Sequence, residues 1–156
     1  MQTIKIHFMI HVWQKYLKGF KKWEDLVQGI TPKKTGCGQI YELGQPLERP
    51  NEDLAVADMR DVLFTQPHYH PETEIYFVLQ GRGRAVVGSK EASIQTGSII
   101  LVPSNLAHYT IPEADLVIAV VATPPYNPKN SNSLYEENKT VLFDFEQFRR
   151  LTHGRL

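Results

Sequence analysis

The sequence predicts an all-β domain, an antiparallel sandwich or barrel, with a helix at each end. Three observations carry this expectation. Short runs of branched and aromatic residues recur between about residues 38 and 124 (LAVADMRDVLFTQ, EIYFVLQ, RAVVGS, SIILVP, HYTI, DLVIAVVA), with turn signals and no helical spacing between them. GRGR at 81–84 and GSK at 88–90 read as hairpin turns, where glycine takes positive φ without steric penalty. Outside this stretch, apolar residues spaced by three and four mark helices instead.

Taken in order, residues 12–30 carry Trp13, Tyr16, Leu17, Phe20, Trp23, Leu26, Val27 and Ile30 on one stripe, the pattern of an amphipathic helix. Lys15, Lys18, Lys21 and Lys22 fall mostly off it, and Gly19 weakens the helix by ~1 kcal/mol relative to Ala. A basic helix of this kind can lie on a membrane or meet a partner. The reading preferred is that its aromatic stripe packs on the chain's own barrel or on a second copy. His7 and His11 sit four apart, a spacing that can share a metal ion, but no third ligand lies nearby and they read as surface residues. TPKKTGCGQ (31–39) is turn-rich and reads as a link. Ile40–Leu47 reads as a short strand, which the polar ERPNED segment ends. After Thr123, PPYNPKNSNS is too proline-rich and polar for a strand. A short closing helix is expected at 143–152, with Phe145, Phe148 and Leu151 on one side. The expected division is a helix and linker over 1–37, a barrel over 38–124, and an extension over 125–156 packing on it.

Bulk properties narrow the class. A chain of 156 residues, 42% hydrophobic and 22% charged, reads as one ordinary globular domain. Seventeen basic residues offset seventeen acidic ones, so no global field argues for nucleic acid or an anionic membrane, and neither is expected as a partner. The lone Cys37 cannot form an internal disulfide, which fits a reducing compartment. The most apolar N-terminal run, Ile6–Trp13, contains two histidines and no small-residue cleavage site, so a cytoplasmic protein is expected.

Chemistry concentrates in FTQPHYHPETEIYFVLQG, residues 64–81. On a strand, positions i and i+2 face the same way, so His68 and His70 present two imidazoles together. Pro71-Glu72-Thr73 can turn the chain and bring Glu74 back on a neighbouring strand. Glu72 is the rival carboxylate, assigned to the turn and to water. His108 begins a later strand, and three imidazoles with Glu74 converge if that strand lies beside the His68 strand. Imidazole suits Fe, Zn, Ni and Cu, while the carboxylate adds affinity for Mn(II) and Fe(II). Four protein ligands on an octahedral ion leave two open positions, whereas a tetrahedral zinc with the same four would be closed and structural.

The spacing His68-x-His70-x3-Glu74-x6-Gly81 resembles the first motif of the cupin superfamily, and Gly97-x5-Pro103-x-Asn105-x2-His108 resembles the second. Together they span about 45 residues. Val62 stands where the first motif commonly begins with glycine, Asn105 replaces the second motif's glycine, and Pro112 stands where asparagine is common. None of the three is a ligand position. The resemblance implies a small single-domain cupin of the cupin 2 type, a double-stranded β-helix of jelly-roll form. It also implies His68, His70, Glu74 and His108 as ligands of one divalent ion (Fe, Mn, Ni or Zn), and it favours a homodimer.

Strand parity then suggests a pocket wall. Val62, Phe64, Gln66 and, on an unbroken strand, Arg60 share a face with His68. Tyr76 and Val78 share one with Glu74, and Thr110 follows His108 while Tyr109 points away. Arg60, Phe64, Gln66, Tyr76 and Thr110 are thus the candidate substrate residues, suited to a small, partly apolar ligand whose anionic group Arg60 could meet. No serine or cysteine nucleophile with a partnered base is visible near the motif, and GRGR lacks the strand-to-helix context of a phosphate loop. The expected function is a metal-dependent enzyme with dioxygenase-like or isomerase/lyase chemistry on a small oxygen-rich molecule. The alternative is a non-catalytic cupin that binds or senses a small molecule.

Overall fold

The computed structural model describes residues 22–44 and 52–153 of the chain. In order these form α1 (Glu24–Val27), β1 (Lys33–Thr35), β2 (Gly38–Gly44), β3 (Asp53–Asp58), β4 (His68–Tyr69), β5 (Thr73–Val87), β6 (Lys90–Gln95), β7 (Ile99–Val102), β8 (His108–Thr123), a 3-10 turn at Pro128–Asn130, β9 (Asn132–Ser133) and α2 (Phe145–Leu151). One antiparallel sheet runs β1-β2-β3-β8-β4-β9, and β5 pairs with β8 while carrying β6 and β7. The sheet curls around an interior lined from both sides.

Two long strands set the frame, where the sequence had suggested many short ones. β5 runs 15 residues and β8 runs 16, and they pair along nearly their whole length, from Thr73↔Thr123 to Val87↔His108. EIYFVLQ and RAVVGS are therefore one strand, as are HYTI and DLVIAVVA. GRGR is not a hairpin turn. It sits mid-strand, where the register shifts between Val78 and Gly83. Gly81 has φ 80, and a Cβ there would lie 2.2 Å from the Ala114 carbonyl oxygen; at Gly83 it would lie 2.5 Å from that of Ile111. The glycines are needed because the two backbones approach too closely for a side chain at this bend. Gly88-Ser89 does turn the chain, with Val87 paired to Lys90 and Gly88 at φ 58. Asn105, at φ 59, takes the left-handed conformation that asparagine tolerates.

Three clusters bury the apolar residues. Inside the barrel lie Met59, Tyr76, Val78, Ile94, Leu116 and Ile118. Trp23 and Val27 pack outside it on Val56 and Val117. The helix expected over 12–30 lies partly outside the described residues. Its described end is α1 alone, because Gln28 turns extended (ψ 122) and Gly29 follows at φ 83. Residues 31–39 are not a plain link: β1 and β2 form a hairpin with Gly36-Cys37 at its tip, Thr35 paired with Gly38. On the opposite side, Tyr109, Leu134, Phe143, Phe148 and Leu151 form the third cluster under α2. Asp144 caps α2 by accepting from the Gln147 backbone N–H at 2.8 Å.

Phe148 is the centre of that third cluster, with ring centroids 5.1 Å from Tyr109 and 5.2 Å from Phe64. Truncating it leaves a cavity that rigid neighbours cannot fill. In denaturant unfolding, Phe148→Ala is expected to destabilise by about 3–5 kcal/mol, whereas Ile99→Ala, at a position 67% exposed, should stay within about 0.5 kcal/mol.

Candidate metal centre

Strand register brings the three histidines together. β4 lies against β8, and His68 pairs directly with His108. His70 follows β4 by one residue, and its carbonyl accepts from the Asn105 backbone N–H at 2.8 Å, which fastens the two motifs to each other. Ring centroids are 4.3 Å apart for His68 and His108, 4.8 Å for His70 and His108, and 5.4 Å for His68 and His70. One nitrogen from each histidine lies within 4.8 Å of the others, a group able to hold a metal ion. Glu74 reaches the same point from β5, its Oε2 3.5 Å from Nε2 of both His70 and His108.

Backbone carbonyls fix which nitrogen is offered. His68 Nδ1 donates to Gln66 O at 2.8 Å, His108 Nδ1 to Leu106 O at 2.9 Å, and His70 Nδ1 to Glu72 O at 3.2 Å. With the proton held on Nδ1, each Nε2 keeps its lone pair. His70 Nε2 and His108 Nε2 are buried without a hydrogen-bond partner. A buried acceptor left alone costs roughly 1–3 kcal/mol, so two of them aimed at one point beside a carboxylate fit a metal ion.

Electrostatics follow from the crowding. Burial, then the neighbouring imidazole of His68, lowers His108 from its ordinary 6.5 to about 3. Burial also lowers His68. His70 is depressed by burial too, but the Glu74 carboxylate outweighs this and raises it. Burial pushes Glu74 up, yet the histidines and Tyr76 hold it below the usual range. Tyr76 donates its hydroxyl to Glu74 Oε2 at 2.8 Å, and burial with that contact lifts its pKa well above 10. Cys37 is pushed up to about 11 by burial and by Glu74, so it stays a thiol at neutral pH.

A cavity of about 580 Å³ opens onto this cluster, lined on one side by His68, Glu74 and Tyr76. Gln66 and Thr110 also line it. Gln66 Nε2 donates to the Leu134 carbonyl at 3.0 Å, and Thr110 Oγ1 meets Met59 Sδ at 3.2 Å. Arg60 and Phe64 are not on the wall. Residues 59–67 bend and turn instead of forming a strand, so parity counted back from His68 fails there. Arg60 makes a bidentate ion pair with Asp58 (2.9 and 2.7 Å) and lies over Trp23, while Phe64 packs on Phe148. Val78 is likewise in the barrel core.

Glu72 does not face water. It is 1% exposed, and its Oε1 accepts from the Asn127 backbone N–H and from Asn130 Nδ2, both at 3.2 Å. The segment after Thr123 folds over the turn and buries it. Glu72 sits on the Nδ1 side of His70, 3.3 Å away, so it stands behind the ring from Glu74. The same segment brings Tyr126 to the cavity, its ring 5.4 Å from His70. Neither contact follows from local sequence spacing.

Comparison with known proteins gives a family match and distant relatives. The family described as a cupin domain matches residues 64–122. A Streptomyces coelicolor protein described as uncharacterized is 40% identical over 58 residues, 36% of this chain and 54% of that one, so the match spans about half of that relative. An acireductone dioxygenase of Bacillus licheniformis is 24% identical, with 72% of this chain and 82% of that one covered. Among solved structures, Streptomyces Pac13, a nucleoside dehydratase, superposes with TM-score 0.61 at 15% identity, covering 78% of this chain and 96% of that one. The last likeness concerns the fold.

The His108 shift has a consequence for stability. An unfolded histidine takes its proton near 6.5, whereas folded His108 stays neutral down to about 3. Between these values the unfolded chain binds the extra proton, so this contribution is complete above 6.5 and shrinks as pH falls. The raised His70 acts oppositely, stabilising below 6.5 and losing that as pH rises through its folded value. In chelator-treated protein, His108→Gln should flatten the fall in unfolding temperature between pH 6.5 and 4; an unchanged slope would contradict the neutral, buried imidazole.

Proposed function

We propose that the chain, whose residues 64–122 match the cupin domain, is a cupin-superfamily protein and a metal-dependent enzyme acting on a small oxygen-rich molecule by dioxygenase-like or isomerase/lyase chemistry. The observation that carries this reading is the cluster of three imidazoles and a carboxylate at the cavity, with His68 and Glu74 on its wall and the buried Nε2 atoms of His70 and His108 lacking a hydrogen-bond partner. His68, His70, His108 and Glu74 would hold the ion. Similarity to an acireductone dioxygenase supports the oxygenase branch, while the lyase branch rests on the site's capacity to hold a Lewis-acidic ion. A divalent Fe, Mn, Ni or Zn ion held there would polarise a carbonyl or enolate oxygen, orient a chelating substrate or, if iron, support dioxygen chemistry.

The chain's own residues supply orientation and exclusion of water. The carbonyls of Gln66, Glu72 and Leu106 hold a proton on each Nδ1 and so keep the Nε2 lone pairs inward. Tyr76 holds its proton against Glu74 and keeps that carboxylate turned toward the imidazoles. Ala55, Ala57, Ile40 and Val120 give the cavity an apolar side, and Gln66 and Thr110 add polar atoms beside the site. Cys37, kept as a thiol, is a polar wall residue and no thiolate nucleophile. A ligand with an apolar body and an oxygen-bearing chelating end matches this division.

Elemental analysis of protein purified without chelator or affinity-tag metal tests the site. Wild type should retain about one equivalent of a divalent ion, and His68→Ala and His108→Ala should lose it; equally empty or equally loaded proteins would sink the assignment. Oxygen uptake by the iron-loaded protein across diketones, catechols and thiols separates the oxygenase branch from the lyase branch, for which uptake stays at background while product forms without oxygen.

A further inference from the structure

Glu72 is a carboxylate with almost no contact with solvent, and nothing in the proposed ligand set uses it. Burying a carboxylate is expensive unless its oxygens are met by donors or positive charge. One oxygen is met twice, by Asn127 N–H and Asn130 Nδ2 of the segment that closes over the site. The other, Oε2, is buried with no hydrogen-bond partner and lies 3.3 Å from His70 Nδ1. His70 Nδ1 is also 3.2 Å from the Glu72 carbonyl oxygen. Two oxygens of one residue therefore flank the proton-bearing side of one imidazole, opposite the nitrogen that faces the cluster.

This arrangement suits an imidazole that gives its Nε2 lone pair to a cation, since its Nδ1–H then carries more positive charge and is steadied by a carboxylate behind it. Only a carboxylate serves both sides. An amide at this position would accept at one end and donate at the other, so it would set donor against donor either at the closing segment or at His70. On the reading of the site as a metal centre, we propose that Glu72 is a positioning residue: clamped by Asn127 and Asn130 on one oxygen, it holds the His70 ring with Nε2 toward the ion. The closing segment thereby becomes part of the metal site, although none of its residues is a ligand.

The test is Zn(II) affinity, measured against a competing chelator, for wild type, Glu72→Gln and Asn132→Ala, together with the visible spectrum of each Co(II)-loaded protein and the unfolding temperature of each metal-free protein. Glu72→Gln should bind Zn(II) about 10–100-fold more weakly and shift the Co(II) bands. Asn132→Ala loosens the same segment by removing its hydrogen bond to the Asn130 carbonyl, touches neither Glu72 nor His70, and should stay close to wild type in both. Wild-type affinity in Glu72→Gln would overturn the role. So would equal losses in the two variants, because those would report the segment's packing alone. If wild type itself takes up no Zn(II) or Co(II), the metal reading fails and this role falls with it.

Discussion

Three hydrogen bonds from imidazole Nδ1 to backbone carbonyls are the constraint on which the rest depends. Each carbonyl lies two residues from its histidine, on Gln66 and Leu106 upstream and on Glu72 downstream. The device is local, yet its product is collective: three lone pairs and one carboxylate oxygen aimed at a single region. Left empty, that region is unfavourable, since two buried nitrogens have no partner. Such concentrations of unmet polar atoms and displaced pKa values are how functional sites differ from ordinary cores.

The barrel exists to hold that region in place. β5 delivers Glu74 and Tyr76, β4 delivers His68, and β8 delivers His108, all within one sheet. Because β5 and β8 pair over nearly their whole length, Glu74 cannot move relative to His108 without disturbing the pairing of both strands. Close backbone approach at Gly81 and Gly83 accompanies the shift of register at mid-length of the pair. In the halves beyond the bend, alternate side chains serve both layers: Ala85 faces the barrel interior, Thr110 the cavity and His108 the site, whereas Val86 and Tyr109 join the aromatic cluster under α2. The chain following β8 then returns through Tyr126 and Asn130 to close the site from outside.

Much of this was legible in the sequence, and the failures have identifiable causes. Two histidines one residue apart, a carboxylate four on and a third histidine before a strand specified a cluster that the fold does assemble. Cross-strand alternation was the wrong tool for residues 59–67, because that stretch bends, and Arg60 and Phe64 ended elsewhere as a result. GRGR looked like a turn because glycine is favoured both where the chain reverses and where two backbones nearly touch; sequence alone does not separate the two. Glu72 was assigned to water because its neighbours form a turn. Its burial depends on Asn127 and Asn130, 55 and 58 residues further along. Local spacing carries the ligands, whereas long-range closure decides what surrounds them.

The central claim is that His68, His70, His108 and Glu74 bind one ion through Nε2 atoms and a carboxylate oxygen. Anomalous diffraction from crystals of the metal-loaded protein measures this directly. The account predicts one scatterer about 2.0–2.2 Å from all three Nε2 atoms and the Glu74 carboxylate, with the Nδ1 atoms still on their carbonyls. A scatterer bound through Nδ1, one that omits His108, or one sited away from the cavity would contradict it.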